Sequence, residues 1–432
     1  MTKKTFSASV SEPEKKIALV TQCHWPPGFR IGKSLIEDGW KIISAGRFIP
    51  TMLQNYPGVI AEIEYPDPFA FPDNFIECIL KTIAKYNINY IVPVTEESFV
   101  FSAYKDRFQS SGSTVLVPEM DKLLYLLDKK NIPEISKACG VDTPETMLIQ
   151  TADDVLTAIN TMPLPIFIKP RLGSGSSNIL KIDKDSPALK KSDIDKVLIR
   201  PMLAQQYIKG MVVSYTIFVD RGKVHFVVGQ KNSHQYPISS GVSCRRIFYD
   251  NDKIKEDCIK ILAHANYKGV AVIDFILEEG SGNHYLIDIN PRFGTNIGFA
   301  IDCNIPVTKL YMQEMIAAKA KIDSTDFSAQ AISPINYFKN VENRWLLAEM
   351  GVAIQYLKQG KLFDIIKMIR KTNGEGGVIC YDDFNFKNIT SFINQFKAYR
   401  YSRKHYGTNN FSTIASEKFL ESLMIPNSPI KN

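Results

Sequence analysis

The chain has no apolar run approaching the roughly 20 residues that span a bilayer. Its first residues, MTKKTFSASVSEPEKK, hold no apolar segment of signal-peptide type. A cytoplasmic protein without a membrane span is expected. Cysteines are scarce and scattered: seven in 432 residues (Cys23, Cys78, Cys139, Cys244, Cys258, Cys303, Cys380), odd in number and without a C-x-x-C pair. This favours reduced thiols over a disulfide framework or a zinc site. His225 and His234 lack ligand-like spacing and read as ordinary surface or hairpin residues. There is no internal repeat, and no G-x-x-x-x-G-K-[ST] signature, which excludes a Walker-type phosphate site. Strong charge is missing as well: the net charge is +7, with 22% charged and 45% hydrophobic residues. From Asn336 onward there are 14 Lys/Arg against 8 Asp/Glu, so nearly all the excess lies in the last quarter. The amphipathic segments there, with Lys358, Lys361, Lys367, Arg370 and Lys371, read as a solvated face over a core, with docking on a membrane surface or nucleic acid as the alternative; no nucleic-acid partner is expected.

What is present is length and alternation. The chain exceeds the usual single domain, so two or three subdomains with ample core are expected. Residues 1–15 read as a polar, loose tail. KKIALVTQ and WKIISAG read as strands, FRIGKSLIEDG as a helix ended by Gly39, and DNFIECILKTIAKYNI as a helix with Ile76, Ile79, Leu80 and Ile83 at helical spacing. Strands alternating with helices through residue 118 argue for a doubly wound α/β domain. After Pro118 come helical segments with Asn131 as candidate N-cap, Pro133 in a first turn and Gly140 at an exit. A hairpin SYTIFVD–RG–KVHFVVGQ and two strands around a Gly-rich loop then mark an α+β region with antiparallel pairing.

Three clusters carry chemistry. In HYLIDINPRFGTN, His284 to Asn296, an apolar run leads straight into a carboxylate, an amide, a proline and an arginine. Period-two alternation places Asp288 and Asn290 on one strand face and Ile287 and Ile289 on the other. A five-residue loop over Glu279–Asn283 pairs Asp274 with Asp288. Facing carboxylates repel unless a cation lies between them, and a hard cation with oxygen ligands such as Mg2+ suits Asp274, Asp288 and Asn290; an exposed polar face with solvated aspartates is the alternative. In FIKPRLGSGSSNI, Lys169 ends an apolar strand, where an ammonium is costly unless it meets an anion. The Gly173–Ser177 turn that follows offers N–H groups and hydroxyls able to close over phosphates, or it is a plain hairpin loop. LAQQYIKG, Leu203 to Gly210, either presents an amide and backbone groups to a purine edge or links two blocks.

In their order, LLDKKNIPEISKACGVDTP, FIKPRLGSGSSNI, QQYIKG, VIDFI and LIDINPRFG resemble the ATP-grasp superfamily of carboxylate-amine ligases, over about residues 15–315. Carbamoyl-phosphate synthase large subunit, biotin carboxylase and D-alanine:D-alanine ligase are members of it. The resemblance implies a fold of α/β and α+β class. A doubly wound pre-ATP-grasp domain (16–118) would precede two ATP-grasp subdomains (119–206 and 207–325), whose antiparallel sheets clamp ATP. A C-terminal, basic, mainly helical extension (326–432) would follow. The implied cofactors are ATP and Mg2+, with Mn2+ as the alternative ion, and the implied partners are small-molecule carboxylate and amine substrates; a homodimer stays open. By position, Lys129 and Lys169 match the lysines directed at the ATP phosphates, and Gly173, Ser174, Gly175 and Ser176 the phosphate-covering loop. Gln206, Tyr207 and Ile208 match the adenine hinge, Asp274, Asp288 and Asn290 the metal ligands, and Arg292 the arginine on the transferred phosphoryl group.

The implied reaction is attack of a carboxylate on the γ-phosphorus, then of an amine on the acyl-phosphate. Two anions meet in the first step, so metal and cationic side chains must neutralise them, and loop closure would keep water out. A nucleotide-binding module without ligase activity and bicarbonate activation of the carbamoyl-phosphate or biotin-carboxylase type are the alternatives. The chain departs from many relatives in three places: Asp288 where they carry Glu, Met211 and Val212 where they carry a ribose-binding acid, and Gln205-Gln206 at the acidic hinge position. On the substrate side, Arg246, beside Arg245, joins Lys169 and Arg292 in the expected catalytic set as a carboxylate anchor; a solvated arginine pair is the alternative. Thr95, Glu96 and Glu97, and His24 with Trp25, fall at strand ends, the usual ligand edge of a parallel sheet.

Overall fold

A computed structural model of the chain describes residues 16–173, 179–185, 198, 201–238, 241–320, 337–369, 377–384, 388–406 and 413–424. The tail 1–15 and four members of the Gly/Ser turn, Ser174, Gly175, Ser176 and Ser177, lie outside the described residues. The first strands are β1 (Ile17–Val20), β2 (Lys41–Gly46), β3 (Val59–Glu64), β4 (Tyr90–Val92) and β5 (Thr114–Val115). They form one parallel sheet in the order β3-β2-β1-β4-β5. Both of its faces are buried. Ala18 and Val20 enter one core with the helix Pro26–Glu37, while Leu19, Ile43 and Ile91 enter another with the helix Pro72–Tyr86. This is why β1 reads as an unbroken apolar run.

A second, antiparallel sheet holds β6 (Thr146–Ile149), β7 (Ile166–Pro170), β8 (Leu180–Ile182) and β9 (Met202–Gln206), in the order β6-β9-β7-β8. Ile166, Ile168, Ile182, Met202 and Ala204 pack under the helix Ala152–Thr161. Alternation turns Phe167, Lys169 and Gln205 to the other face.

The third sheet is the largest: β10 (Gly210–Asp220), β11 (Lys223–Tyr236), β12 (Val242–Phe248), β13 (Gly269–Glu278), β14 (His284–Asn290), β15 (Val341–Arg344) and β16 (Val378–Tyr381), in the order β14-β13-β10-β11-β12-β15-β16. The β10–β11 hairpin closes through Arg221 and Gly222, both at positive φ (46° and 69°), as a two-residue turn matched to strand twist requires. One face buries Val213, Tyr215, Ile217, Ala271 and Ile273 against the helix Asp252–His264. The other face is mixed. Phe218, Phe226 and Val228 continue into the core of the parallel sheet, and Ser214 and Asp274 lie further along it.

After Tyr337 most of the described residues are helical (Leu346–Lys358, Leu362–Ile369, Ile389–Tyr406 and Thr413–Met424), but two short strands, β15 and β16, were not expected and widen the large sheet. Their signal was weak: VENR is short and polar, and its Glu342, Asn343 and Arg344 are buried through charge pairing rather than apolar packing. The helices there also join the body. Ser391 Oγ donates to Met52 O at 2.6 Å, and Phe419, Leu420 and Leu423 share a core with Leu172 and the parallel sheet.

Candidate active site

The β13–β14 hairpin sets one wall of the site. Near its turn Leu277 pairs with His284 and Ile276 with Tyr285, but the register then shifts by one, and Asp274 faces Asp288. Ile287 is the extra residue of a β-bulge. Strict period-two alternation therefore fails here: Leu286 and Ile289, three apart, both enter the core. Asp288 and Asn290 still share a face, with Asn290 Nδ2 3.3 Å from Asp288 Oδ2, and the carbonyl of Ile287 accepts from Lys169 Nζ at 3.4 Å. Burial beside Asp288 pushes the Asp274 carboxyl up to about 7, against the pull of the Ser214 hydroxyl, Arg292 and Lys129.

Three cations approach this wall from separate elements. Lys129 begins a short 3-10 turn, Lys129–Asn131, capped by Asp128; Asn131 then holds the N-cap position of the helix Ile132–Cys139, as expected, though without a side-chain cap bond. Asp128 Oδ1 accepts from Lys130 N at 3.2 Å, and Arg171 grips the same carboxylate with Nε at 2.7 Å and Nη2 at 2.6 Å. So fixed, Lys129 Nζ lies 3.0 Å from Asp288 Oδ1 and donates to Gly173 O at 2.8 Å. Lys169 leaves β7 on the polar face and donates to Gln205 Oε1 at 2.7 Å. Burial, then the nearby Lys129 charge, lowers its ammonium to about 8, with Asp288 opposing. Arg292, released from the strand by Pro291, donates through Nη2 to Glu96 Oε1 at 2.7 Å and to Asn290 Oδ1 at 3.2 Å. Its Nε is buried without a hydrogen-bond partner. Glu96 comes from the loop after β4, where Thr95 holds a left-handed φ of 58°; it bridges the parallel sheet to the site.

Two opposed carboxylates and an amide form an all-oxygen donor set. Burial and, second to it, the facing Asp288 carboxylate both disfavour the Asp274 charge, a cost that a divalent cation would offset, so the residues fit Mg2+ or Mn2+. Among the described residues no three His, Cys, Asp or Glu side chains cluster for a metal, and the third protein oxygen in this set is that of an amide.

Gln205, not Gln206, faces Lys169, and its Nε2 donates to Thr146 Oγ1 at 3.0 Å. Gln206 lies opposite Ile166, with its N–H on Glu145 O at 2.9 Å. The Tyr207 N–H goes to Pro165 O at 2.9 Å and its ring meets Phe167 edge-on at 5.4 Å; Ile208 follows, buried. Neither arginine is solvated: both are buried and ion-paired, and the Nε of Arg246 has no hydrogen-bond partner. Arg246 Nη1 donates to Asp382 Oδ2 at 2.5 Å and Asn343 Oδ1 at 2.6 Å, while Arg245 Nε meets Glu349 Oε1 at 2.6 Å. His225 lies on the β10–β11 hairpin, one of the two places expected, but is buried rather than on the surface and stacks on Phe218 with ring centroids 4.5 Å apart. His234 is half-buried, lowered to about 4 by burial and the Arg245 and Arg344 charges. His24 is buried too, and Trp25 meets Trp345 edge-on at 5.7 Å. Unforeseen members of the polar face are Ser214, Asn232 and Gln230: Asn232 Nδ2 donates to Ser214 Oγ at 3.0 Å and Gln230 Nε2 to Asn232 Oδ1 at 2.9 Å. The one sequence signal for them was polar residues spaced by two in β11.

Residues 128–296 match the family model described as "ATP-grasp domain". Relatives are distant. The arginine-specific carbamoyl phosphate synthase large chain of Bacillus subtilis is 21% identical over 296 residues, covering 66% of this chain and 28% of that one. The D-alanine–D-alanine ligase of Acinetobacter baylyi is 26% identical over 183 residues, 38% of this chain and 56% of that one. This chain thus spans about a quarter to a half of the length of these relatives. Among solved structures, an L-amino acid ligase from Bacillus licheniformis shares the fold, with a TM-score of 0.55, 16% identity, and coverage of 73% of this chain and 78% of that one.

Proposed function

We propose that the protein is an ATP- and Mg2+-dependent ligase that activates a small carboxylate as an acyl-phosphate and joins it to an amine, releasing ADP and phosphate. The observation that carries this reading is the meeting of Lys129, Lys169 and Arg292 with Asp274, Asp288 and Asn290 at one point, from three elements distant in sequence. Asp274, Asp288 and Asn290 hold the metal, which when bound neutralises phosphate charge. Lys129 and Lys169 give up their contacts to Asp288 and Gln205 for phosphate oxygens. Arg292, kept in place by Glu96, turns its unpartnered Nε toward the transferred group. Gly173 to Ser176 cover the phosphates, and Gln206, Tyr207 and Ile208 border the adenine. Arg246, tied to Asp382, positions the sheet rather than touching substrate. The working units are residues 16–118, 119–206, 207–325 and 326–432.

The test is phosphate release over pairs of amino acids and small carboxylates, with product masses. Turnover should need both substrates and Mg2+, and fall by on the order of a thousandfold in Lys169→Ala and Asp288→Ala. Turnover untouched by both substitutions would refute the assignment. Exposed, apolar Met211, at a ribose-side position, favours a second reading, nucleotide binding without turnover; calorimetric ATP binding with no phosphate release across the panel would select it. Bicarbonate-dependent release with no amide product would select bicarbonate activation.

A further inference from the structure

The helical hairpin made of Leu346–Lys358 and Leu362–Ile369 is apolar on two sides. Its inner side is bolted to the large sheet: Ala348, Val352 and Met368 bury with Cys244, and a Cβ on Gly351 would sit 2.5 Å from the Tyr236 ring. Its outer side carries Met350, Ile354 and Leu357 at i, i+4 and i+7, then Leu362, Phe363 and Ile366, all exposed, Phe363 at 81%. A surface helix ordinarily buries one stripe and shows water a polar face; a contiguous exposed apolar patch marks an interaction surface. The basic segments lie over a core with Lys358, Lys361 and Lys367 exposed, as expected from the sequence, but large apolar side chains share that outward face; Arg370 and Lys371 lie outside the described residues.

The tip of the hairpin combines two chemistries. Every residue from Leu357 to Phe363 is exposed, and Lys358 and Lys361 stand among the apolar side chains. Lys367 lies one turn further on, 4.0 Å from Asp364. We propose that this hairpin docks the protein on an anionic lipid surface, with Leu357, Leu362 and Phe363 entering the acyl-chain boundary and Lys358, Lys361 and Lys367 meeting lipid phosphates. Charge complementarity selects this occupant over a second copy of the chain. A two-fold pairing of tips sets each lysine cluster against its own counterpart, whereas anionic headgroups attract all three. No helix among the described residues is long and apolar enough to cross a membrane, so the attachment is interfacial and reversible.

The test is co-sedimentation of the full chain with vesicles of phosphatidylcholine alone or mixed with phosphatidylglycerol. Binding should occur on the anionic vesicles and weaken with added salt. Phe363→Ser, and separately Leu357→Ser, should each cut it by on the order of tenfold. The triple change of Lys358, Lys361 and Lys367 to Gln should reduce it to the phosphatidylcholine level. Both apolar positions are exposed, and unchanged circular dichroism melts of the variants show that the fold is kept. Absence of binding to either vesicle at low salt, or binding unmoved by these substitutions, overturns the proposal. So does a concentration-dependent dimer in sedimentation velocity that Phe363→Ser abolishes while vesicle binding is absent, since this gives the face to a second copy.

Discussion

Glu97 and Arg246 show how differently two buried charges behave. Glu97 takes a hydrogen bond from the Tyr65 hydroxyl, yet burial raises its carboxyl from 4.5 to about 8 despite help from Thr21, Tyr65 and Arg47. The folded chain therefore keeps a proton that the unfolded chain releases. The stabilisation is complete below pH 4.5 and is lost as pH rises to about 8. In Glu97→Gln the melting temperature should fall less over that window than in the parent, and a parallel fall in both would contradict the shift. Arg246, by contrast, is matched by Asp382 and Asn343. Removing it strands a buried carboxylate, so Arg246→Ala should cost about 3 kcal/mol or more and lower the melting temperature by several degrees. A raised substrate KM at unchanged melting temperature would instead mean that Arg246 anchors substrate.

Short elements aim the site. The turn Lys129–Asn131 is three residues long and has little stability of its own; the Asp128–Arg171 pair decides where Lys129 points. Arg171→Ala should cost roughly 3 kcal/mol and raise the KM for ATP on the order of tenfold, more than kcat falls, as measured by steady-state phosphate release. The bulge at Ile287 is the other aiming device, since it brings Asp288 opposite Asp274 and leaves a backbone carbonyl for Lys169. Neither device has a periodic pattern: a bulge is one residue out of register, and a cap partner 43 positions away is invisible to local propensity.

Across the whole molecule, the last quarter is structural as well as basic. The helix Thr413–Met424 packs Phe419, Leu420 and Leu423 against Leu172, just before the Gly/Ser turn, and Arg171 Nη2 reaches Met424 Sδ at 3.4 Å. Ending the chain before Thr413 should lower the melting temperature and speed amide exchange along β7, because Leu172 loses its cover. Exchange along β7 equal to that of the full chain would show that the helix supports nothing there.

Much of this protein was legible in its local pattern. Apolar runs and alternation located β1, β2 and the β10–β11 hairpin, and the spacing of D-x-N-P-R identified Asp288, Asn290 and Arg292 as one cluster, because side-chain facing and turn chemistry depend on near neighbours. The pairing of Asp274 with Asp288 was reached as well, although through a bulge that no pattern announced. Tertiary structure alone decided that Gln205 rather than Gln206 meets Lys169, that Glu96 holds Arg292, that Arg246 is already taken by Asp382, and that VENR and VICY extend the sheet. These are choices of partner for polar groups, and a buried charge is stable wherever the fold supplies a counter-charge, however far away along the chain that residue lies.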